Sequence, residues 1–432
     1  MKVLMFGWEF PPHISGGLGT ACHGLTKELI SFSDIDLTFV VPKVFGDECK
    51  RGMKLVGASD VELSSEIITT QMELEKRKFY EFNQIVSAYT TPEQYEKMLS
   101  EQKEKLSTLH GNAPTGKIEF SGQYGSSLFE EIYRYGVVAT EIARKGNYDI
   151  IHAHDWLTYP AGIAAKMVSG KPLVVHVHAT EFDRSGENIN QSVYEIERRG
   201  MNLADKVITV SNLTRNIVIT RYGIPKKKVI TVHNAVDFSN EPVISNSNRV
   251  IPYKVVTFLG RVTFQKGPDY FVEAANMILK KNSNVRFVMA GNGDMLNRMI
   301  RYVAKLGISN KFYFTGFLKG SDVNKMFQMS DVYVMPSVSE PFGISPLEAM
   351  QSNVPVIISK NSGVSEVLKH ALKVDFWDID AMADAINGVL NYPALAKHLK
   401  SNGRHEVENL KWIDVATKVK DIYYLLAYSK AS

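Results

Sequence analysis

The chain has little cysteine, little charge of one sign and no long apolar run, and each shortage removes a class of function. Only Cys22 and Cys49 are present among 432 residues. Two thiols are too few for a disulfide framework or a cysteine-based metal cage, which fits a reducing compartment. The formal net charge is +4, small for this length, so nothing in the composition calls for nucleic acid. The opening Met1-Lys2-Val3-Leu4-Met5-Phe6-Gly7-Trp8-Glu9 is too short an apolar run for a secretory leader or a membrane span, and Pro11-Pro12 follows at once. It reads as a first buried strand. The expectation is a cytoplasmic protein without a transmembrane segment, free or peripheral to the inner membrane face.

What is present is ordinary globular material, 44% hydrophobic and 22% charged, in a chain too long for one core. Short β-branched runs alternate with amphipathic helical stretches, the pattern of βαβ units around parallel sheets. Strands are expected at Leu37–Val41, Ile150–Ala153, Leu173–His178, Lys206–Val210, Val229–Val232, Val255–Leu259, Val285–Ala290, Phe312–Thr315, Val332–Met335 and Val356–Ile358. That is enough for two sheets. The polar stretch Asn240–Pro252 reads as a linker, dividing the chain into domains 1–245 and 246–410. From about Phe45 to Gly125 the alternation breaks, as for an insertion, with a helix near Pro92–Leu109. In 411–432, Trp412, Val415, Val419, Ile422 and Leu426 keep helical spacing, so the last element is an amphipathic helix with a stripe that must dock.

Five stretches carry candidate chemistry. Gly16-Gly17-Leu18-Gly19 follows the first strand and precedes a helix, where backbone N–H groups approach a phosphate or a sugar. The spacing is not the dinucleotide fingerprint, and Val41-Pro42-Lys43 stands where a ribose-binding carboxylate belongs, so a nicotinamide dehydrogenase is not expected. His152-Ala153-His154-Asp155-Trp156 and His176-Val177-His178 end two strands, the edge where open α/β sheets bind ligands. Such H-x-H pairs also suit a metal-dependent hydrolase, with Asp155 or Glu181 as further ligands, or plain hydrogen bonding within the sheet. In the second half, Gly260-Arg261-Val262-Thr263-Phe264-Gln265-Lys266-Gly267 offers a planar fork and a point charge to one diphosphate. Glu340-Pro341-Phe342-Gly343-Ile344-Ser345-Pro346-Leu347-Glu348 contains an S-P-L-E capping box, so a helix begins there with the N–H groups of Phe342, Gly343 and Ile344 free for an anion or a hydroxyl. Carboxylates beside such an end repel phosphate. They serve better as acceptors for sugar hydroxyls, a hexose for Glu340 and a ribose for Glu348.

The E-x7-E arrangement of Glu340 and Glu348 within EPFGISPLEAM, with the GRVTFQKG loop, resembles the retaining glycosyltransferases of family 4, glycogen and starch synthases among them. Gly16-Gly17-Leu18, His154-Asp155-Trp156, Thr209-Val210-Ser211, His233-Asn234-Ala235-Val236-Asp237, Gly291-Asn292-Gly293 and Gly316-Phe317 add to it. The resemblance implies an α/β GT-B fold: two Rossmann-like domains facing across a cleft, with the C-terminal helix crossing back to the first. It implies Arg261 and Lys266 on the diphosphate, Glu340 on the sugar, Glu348 on the ribose and His154 near the reacting carbon. Gly16, Gly17, Leu18, Gly291, Phe342, Gly343 and Ile344 are then donor contacts, and His178, Asp155 and Asn234 further cleft residues. The implied partners are an ADP-, UDP- or GDP-hexose and a glycan acceptor, with no metal and no cofactor. The opening Trp8-Glu9-Phe10-Pro11-Pro12 resembles the α-glucan branch, although Ile14 stands where bacterial glycogen synthases carry lysine. A surface-polysaccharide or glycolipid transferase and a non-catalytic sugar-binding module are the rival readings.

Overall fold

The computed structural model describes residues 1–13, 16–48, 52–64, 116–122, 124, 128–237 and 251–428. Most of the expected insertion, its helix near Pro92–Leu109, Ile14 and nearly all of the Asn240–Pro252 stretch lie outside the described residues.

Two parallel sheets form, as the alternation implies. The first holds β1 (Lys2–Phe6), β2 (Asp36–Val41), β3 (Lys54–Gly57), β4 (Ile150–His154), β5 (Leu173–Val177), β6 (Lys206–Thr209) and β7 (Val229–Thr231) in the order β3-β2-β1-β4-β5-β6-β7. The second holds β8 (Lys254–Leu259), β9 (Val285–Ala290), β10 (Phe312–Gly316), β11 (Val332–Met335), β12 (Val356–Ser359) and β13 (Leu372–Val374) in the order β10-β9-β8-β11-β12-β13. Each expected strand is present to within a residue or so at its ends. β3 and β13, a short strand in the charged region and a three-residue edge strand, were not anticipated.

Both faces of each sheet are covered, so the strands read as near-continuous apolar runs. Alternation sorts their side chains: Leu4, Phe6, Ile151, Ala153, Val175 and Val177 pack with the helices Leu128–Lys145 and Tyr159–Ser169 on one face. Val3, Met5, Ile150, Val174 and Ile208 pack on the other with the helices Gly17–Leu29 and Trp412–Tyr428. The same alternation turns His152, His154, His176 and His178 toward this second face.

The last helix therefore crosses back, as its stripe demands. Trp412, Val415, Ala416, Val419, Ile422, Tyr423 and Leu426 are all buried in the first domain's core. A Cβ on Gly24 would stand 2.3 Å from the Trp412 ring, so only glycine admits the indole against the helix Gly17–Leu29. Lys420 and Tyr424 both reach Asp34 at its rim, at 2.7 and 2.5 Å. Truncating Trp412 leaves a ring-sized hole at this joint. We expect Trp412→Ala to cost about 3–5 kcal/mol, read as a lower denaturant midpoint of the transition that reports the first domain.

Candidate functional site

On the first domain's side, the site is built from neutral rings. His152 and His154 stack with centroids 4.3 Å apart, as do His176 and His178, and the two pairs lie side by side. The His152 Nδ1 meets the Tyr423 hydroxyl at 2.5 Å, and Nδ1 of His154 meets Nε2 of His178 at 2.9 Å. Burial, reinforced by the neighbouring rings, pushes His152, His154 and His176 well below the ordinary imidazole range, and burial alone takes His178 to about 3. All four are neutral at physiological pH, able to donate or accept a hydrogen bond without adding charge to a sugar.

Asp155 has φ 62, a conformation reached because its Oδ1 accepts the N–H groups of His178 and Ala179, 3.0 and 3.3 Å away. It ties the end of β4 to the loop after β5. Glu181 is spent likewise, accepting from the Ser185 hydroxyl and the Asn190 N–H. The two carboxylates expected in a metal-dependent hydrolase are thus committed elsewhere, while one ring nitrogen from each of His152, His154 and His176 lies within 4.8 Å of the other two.

Gly16 caps the helix Gly17–Leu29 without a side-chain bond, and a Cβ at Gly16 or Gly17 would meet nothing within 4 Å. The helix N-terminus therefore opens on free space. Leu18 instead is half-buried against the core shared with the crossing helix. Asn234 is buried with no partner for its Oδ1, and no described bond connects it to His154.

On the second domain's side the charges meet. The Gly260–Gly267 loop leaves β8, makes a short turn at Phe264–Lys266 and enters the helix Pro268–Leu279. Gly267 has φ +62, and a Cβ there would lie 2.2 Å from the Pro336 carbonyl, so glycine alone lets this loop press on the end of β11. That contact brings the Lys266 ammonium onto the Glu340 carboxylate as an ion pair; the Ser337 hydroxyl also donates to Glu340 at 3.3 Å. Arg261 donates to the Gln265 side-chain oxygen at 3.2 Å and acts electrostatically on Asp155 across the cleft. Gly291 is forced to be glycine by the Gly260 carbonyl, which a Cβ would reach at 1.8 Å.

The helix after Glu340 starts where expected, at Ser345, with proline in its first turn. The capping box does not form. Ser345 is already helical and its hydroxyl is bonded to Tyr333 at 2.8 Å, so it cannot turn back as a cap. Glu348 makes no cap either, and burial pushes its carboxyl up to about 7. The N–H groups of Phe342, Gly343 and Ile344 have no acceptor among the described residues, while the Phe342 ring is buried and Ile344 packs between the cores of both domains.

Two cross-cleft contacts, at Ser339 and at Glu366, were not foreseen, and neither was the cluster around Arg184 within the first domain. Ser339 donates to Asp183 at 2.5 Å, beside Glu340. Glu366 accepts the N–H groups of Asn212 and Leu213, at 2.9 and 2.7 Å, and meets His233 Nε2 at 2.8 Å. Arg184 lies between Glu197 and Asp155. The T-x-x-D pattern Thr180–Asp183 does form a capping box, the one local signal near Asp183.

Glu348 yields a pH signature. The folded carboxyl keeps its proton up to about 7 whereas the free side chain loses it near 4.5, so folding takes up a proton between these values. Stability from this group is present below 4.5 and lost as pH rises through 7. We expect the unfolding free energy of the wild type to fall across that window relative to Glu348→Gln, in denaturation curves recorded from pH 4.5 to 8.

Residues 110–240 match the family "Glycosyltransferase Family 4", and residues 242–406 match "Glycosyl transferases group 1". An uncharacterised glycosyltransferase of Methanocaldococcus jannaschii is 27% identical, over 98% of each chain. A glycogen synthase of Mycobacterium tuberculosis is 23% identical, over 98% of this chain and 94% of its own. The Anabaena protein HepE in complex with UDP-glucose superimposes with a TM-score of 0.67 at 17% identity, over 99% of this chain and all of that one.

Proposed function

The chain belongs to the family 4 glycosyltransferases of GT-B fold, and from that premise we propose that it moves a hexose, glucose in the first place, from a nucleotide sugar to an α-glucan with retention of configuration. The observation that carries the reading is the Lys266–Glu340 ion pair. Arg261 on the same loop acts electrostatically on Asp155, next in the chain to the neutral His154, and the N–H groups of Phe342, Gly343 and Ile344 follow Glu340 without acceptors among the described residues. A nucleotide sugar has a doubly charged diphosphate joined to a neutral ring of hydroxyls, and the cleft presents cations and N–H donors for one, a carboxylate and imidazoles for the other. UDP-glucose in the HepE structure and glycogen synthase among the relatives support glucose as the sugar.

In this reading Lys266 leaves Glu340 for the diphosphate, joined by Arg261, and the freed Glu340 accepts from hexose hydroxyls. Glu348 accepts from the ribose. His154, uncharged, hydrogen-bonds the sugar near its anomeric carbon. The acceptor hydroxyl attacks that carbon on the face the diphosphate leaves, and its proton passes to the departing phosphate oxygen as the C–O bond to phosphate breaks. Cationic groups aimed at the leaving oxygens stabilise the charge that develops there. The closed contacts Ser339–Asp183 and Glu366–Asn212 hold the two halves together and exclude water from the donor.

The purified protein should elongate glycogen or a maltooligosaccharide from ADP-glucose or UDP-glucose, with product and nucleoside diphosphate formed in equal amounts and unaffected by EDTA. GDP-mannose serves as the contrasting donor. Without donor consumption in the presence of glucan, the α-glucan assignment fails and lipid-linked or surface-polysaccharide acceptors take its place. Lys266→Ala and Glu340→Gln should each lower kcat/KM by about 10²–10³, assayed below each variant's own unfolding transition because loss of one partner of the pair also lowers stability; an unchanged kcat/KM in either would remove that residue from the mechanism.

A further inference from the structure

Cys22 takes no part in the chemistry above, yet it lies against it. Its thiol is free and buried on the helix Gly17–Leu29, which covers the same sheet face as the histidines. One donor atom from each of Cys22, His154 and His178 lies within 4.8 Å of the other two. Within this group the two imidazoles already converge, since His154 Nδ1 and His178 Nε2 share one proton across 2.9 Å. The remaining nitrogen of His154 is buried without a partner. The Asp155 and Glu9 carboxylates act electrostatically on the Cys22 thiol from nearby.

A thiol and two imidazoles are the donor types of a zinc site with an open fourth position. Tetrahedral zinc with ordinary Zn–N and Zn–S bonds sets its ligand atoms roughly 3.3–3.7 Å apart. The imidazole nitrogens, now 2.9 Å apart, need to part by a few tenths of an ångström, and the sulfur, within 4.8 Å of both, to close by no more than about 1.5 Å. His178 is half-buried and gives the ion a way in from the cleft. Two cysteines are too few for a thiolate cage, but one suffices for this mixed set.

We propose that Cys22, His154 and His178 form a site for a thiophilic divalent cation, zinc foremost, and that its occupation removes His154 from the sugar cleft. On binding, the sulfur–metal bond replaces the S–H bond and the thiol proton goes to solvent. The proton shared by the imidazoles moves to the outer nitrogen of the ring that carried it, so both rings ligate as neutral donors. The nearby carboxylates balance the net charge that remains. The site is inhibitory, because the imidazole it occupies is the one assigned to the sugar; this consequence alone rests on the function proposed above.

The test is a cobalt titration of the full-length, chelator-stripped protein followed by absorption. Wild type and Cys49→Ser should each take up one equivalent of Co²⁺, giving the visible bands of tetrahedral cobalt and a near-ultraviolet thiolate charge-transfer band, both bleached by Zn²⁺. Cys22→Ser, checked for an unchanged circular dichroism melt, should lose the charge-transfer band, and His178→Gln should weaken cobalt binding at least about tenfold. A wild type without tetrahedral cobalt bands, or a charge-transfer band that survives in Cys22→Ser, overturns the site. In transfer assays zinc should inhibit the wild type and spare Cys22→Ser. If the metal-free protein transfers no sugar from any donor, the functional reading fails while the cobalt spectra still decide the site.

Discussion

The joint between the helix Trp412–Tyr428 and the helix Gly17–Leu29 is the constraint on which the cleft depends. Half of the candidate site belongs to each domain, and neither half is complete alone. The chain must leave the second domain and bury a seven-residue apolar stripe in the first, with Trp412 set where Gly24 leaves room for an indole. Burial of that stripe is non-directional, but the glycine-sized notch fixes its register. The same helix then carries Tyr423 to His152, directly behind His154. A packing device thereby also sets a ring orientation at the site, linking domain attachment to the geometry of the cleft.

The two sides of the cleft divide the electrostatics. On the first domain, burial keeps four stacked histidines neutral, and Asp155 is absorbed in holding backbone N–H groups. On the second, Lys266 forms an ion pair with Glu340, five residues before the helix that begins at Ser345, with Arg261 on the same loop as Lys266. A substrate with one strongly charged part and one neutral hydroxyl-rich part matches this division, whereas a uniformly charged one would leave half of the cleft unused.

Much of this was readable along the chain because parallel sheets buried on both faces impose apolar strands, and their carboxyl ends collect the polar residues. His154, Arg261, Lys266 and Glu340 all stand at or just beyond such ends. The misreading at Ser345 is instructive: S-P-L-E satisfies the capping pattern, but the Tyr333 hydroxyl claims the serine, and Ile344 holds the N-cap position instead. Propensity could not reveal that, since the competing partner comes from β11. The Ser339–Asp183 and Glu366–Asn212 bonds were illegible for a similar reason, each joining residues more than 150 positions apart across a cleft. Leu18 shows the opposite case, a residue set in a glycine motif whose side chain packs against the core.

The Lys266–Glu340 pair has a consequence for recognition. Breaking a largely buried ion pair by removing one partner leaves an uncompensated charge, at a cost of about 3–5 kcal/mol. A diphosphate without its sugar satisfies Lys266 but strands Glu340; a free hexose offers hydroxyls to Glu340 but nothing to Lys266. Only a ligand carrying both parts replaces what each side chain gives up. On the proposed function, the pairing of these two residues in the ligand-free cleft therefore selects for the intact nucleotide sugar over either fragment, and it does so through a penalty on partial occupancy, with no added contact to the base.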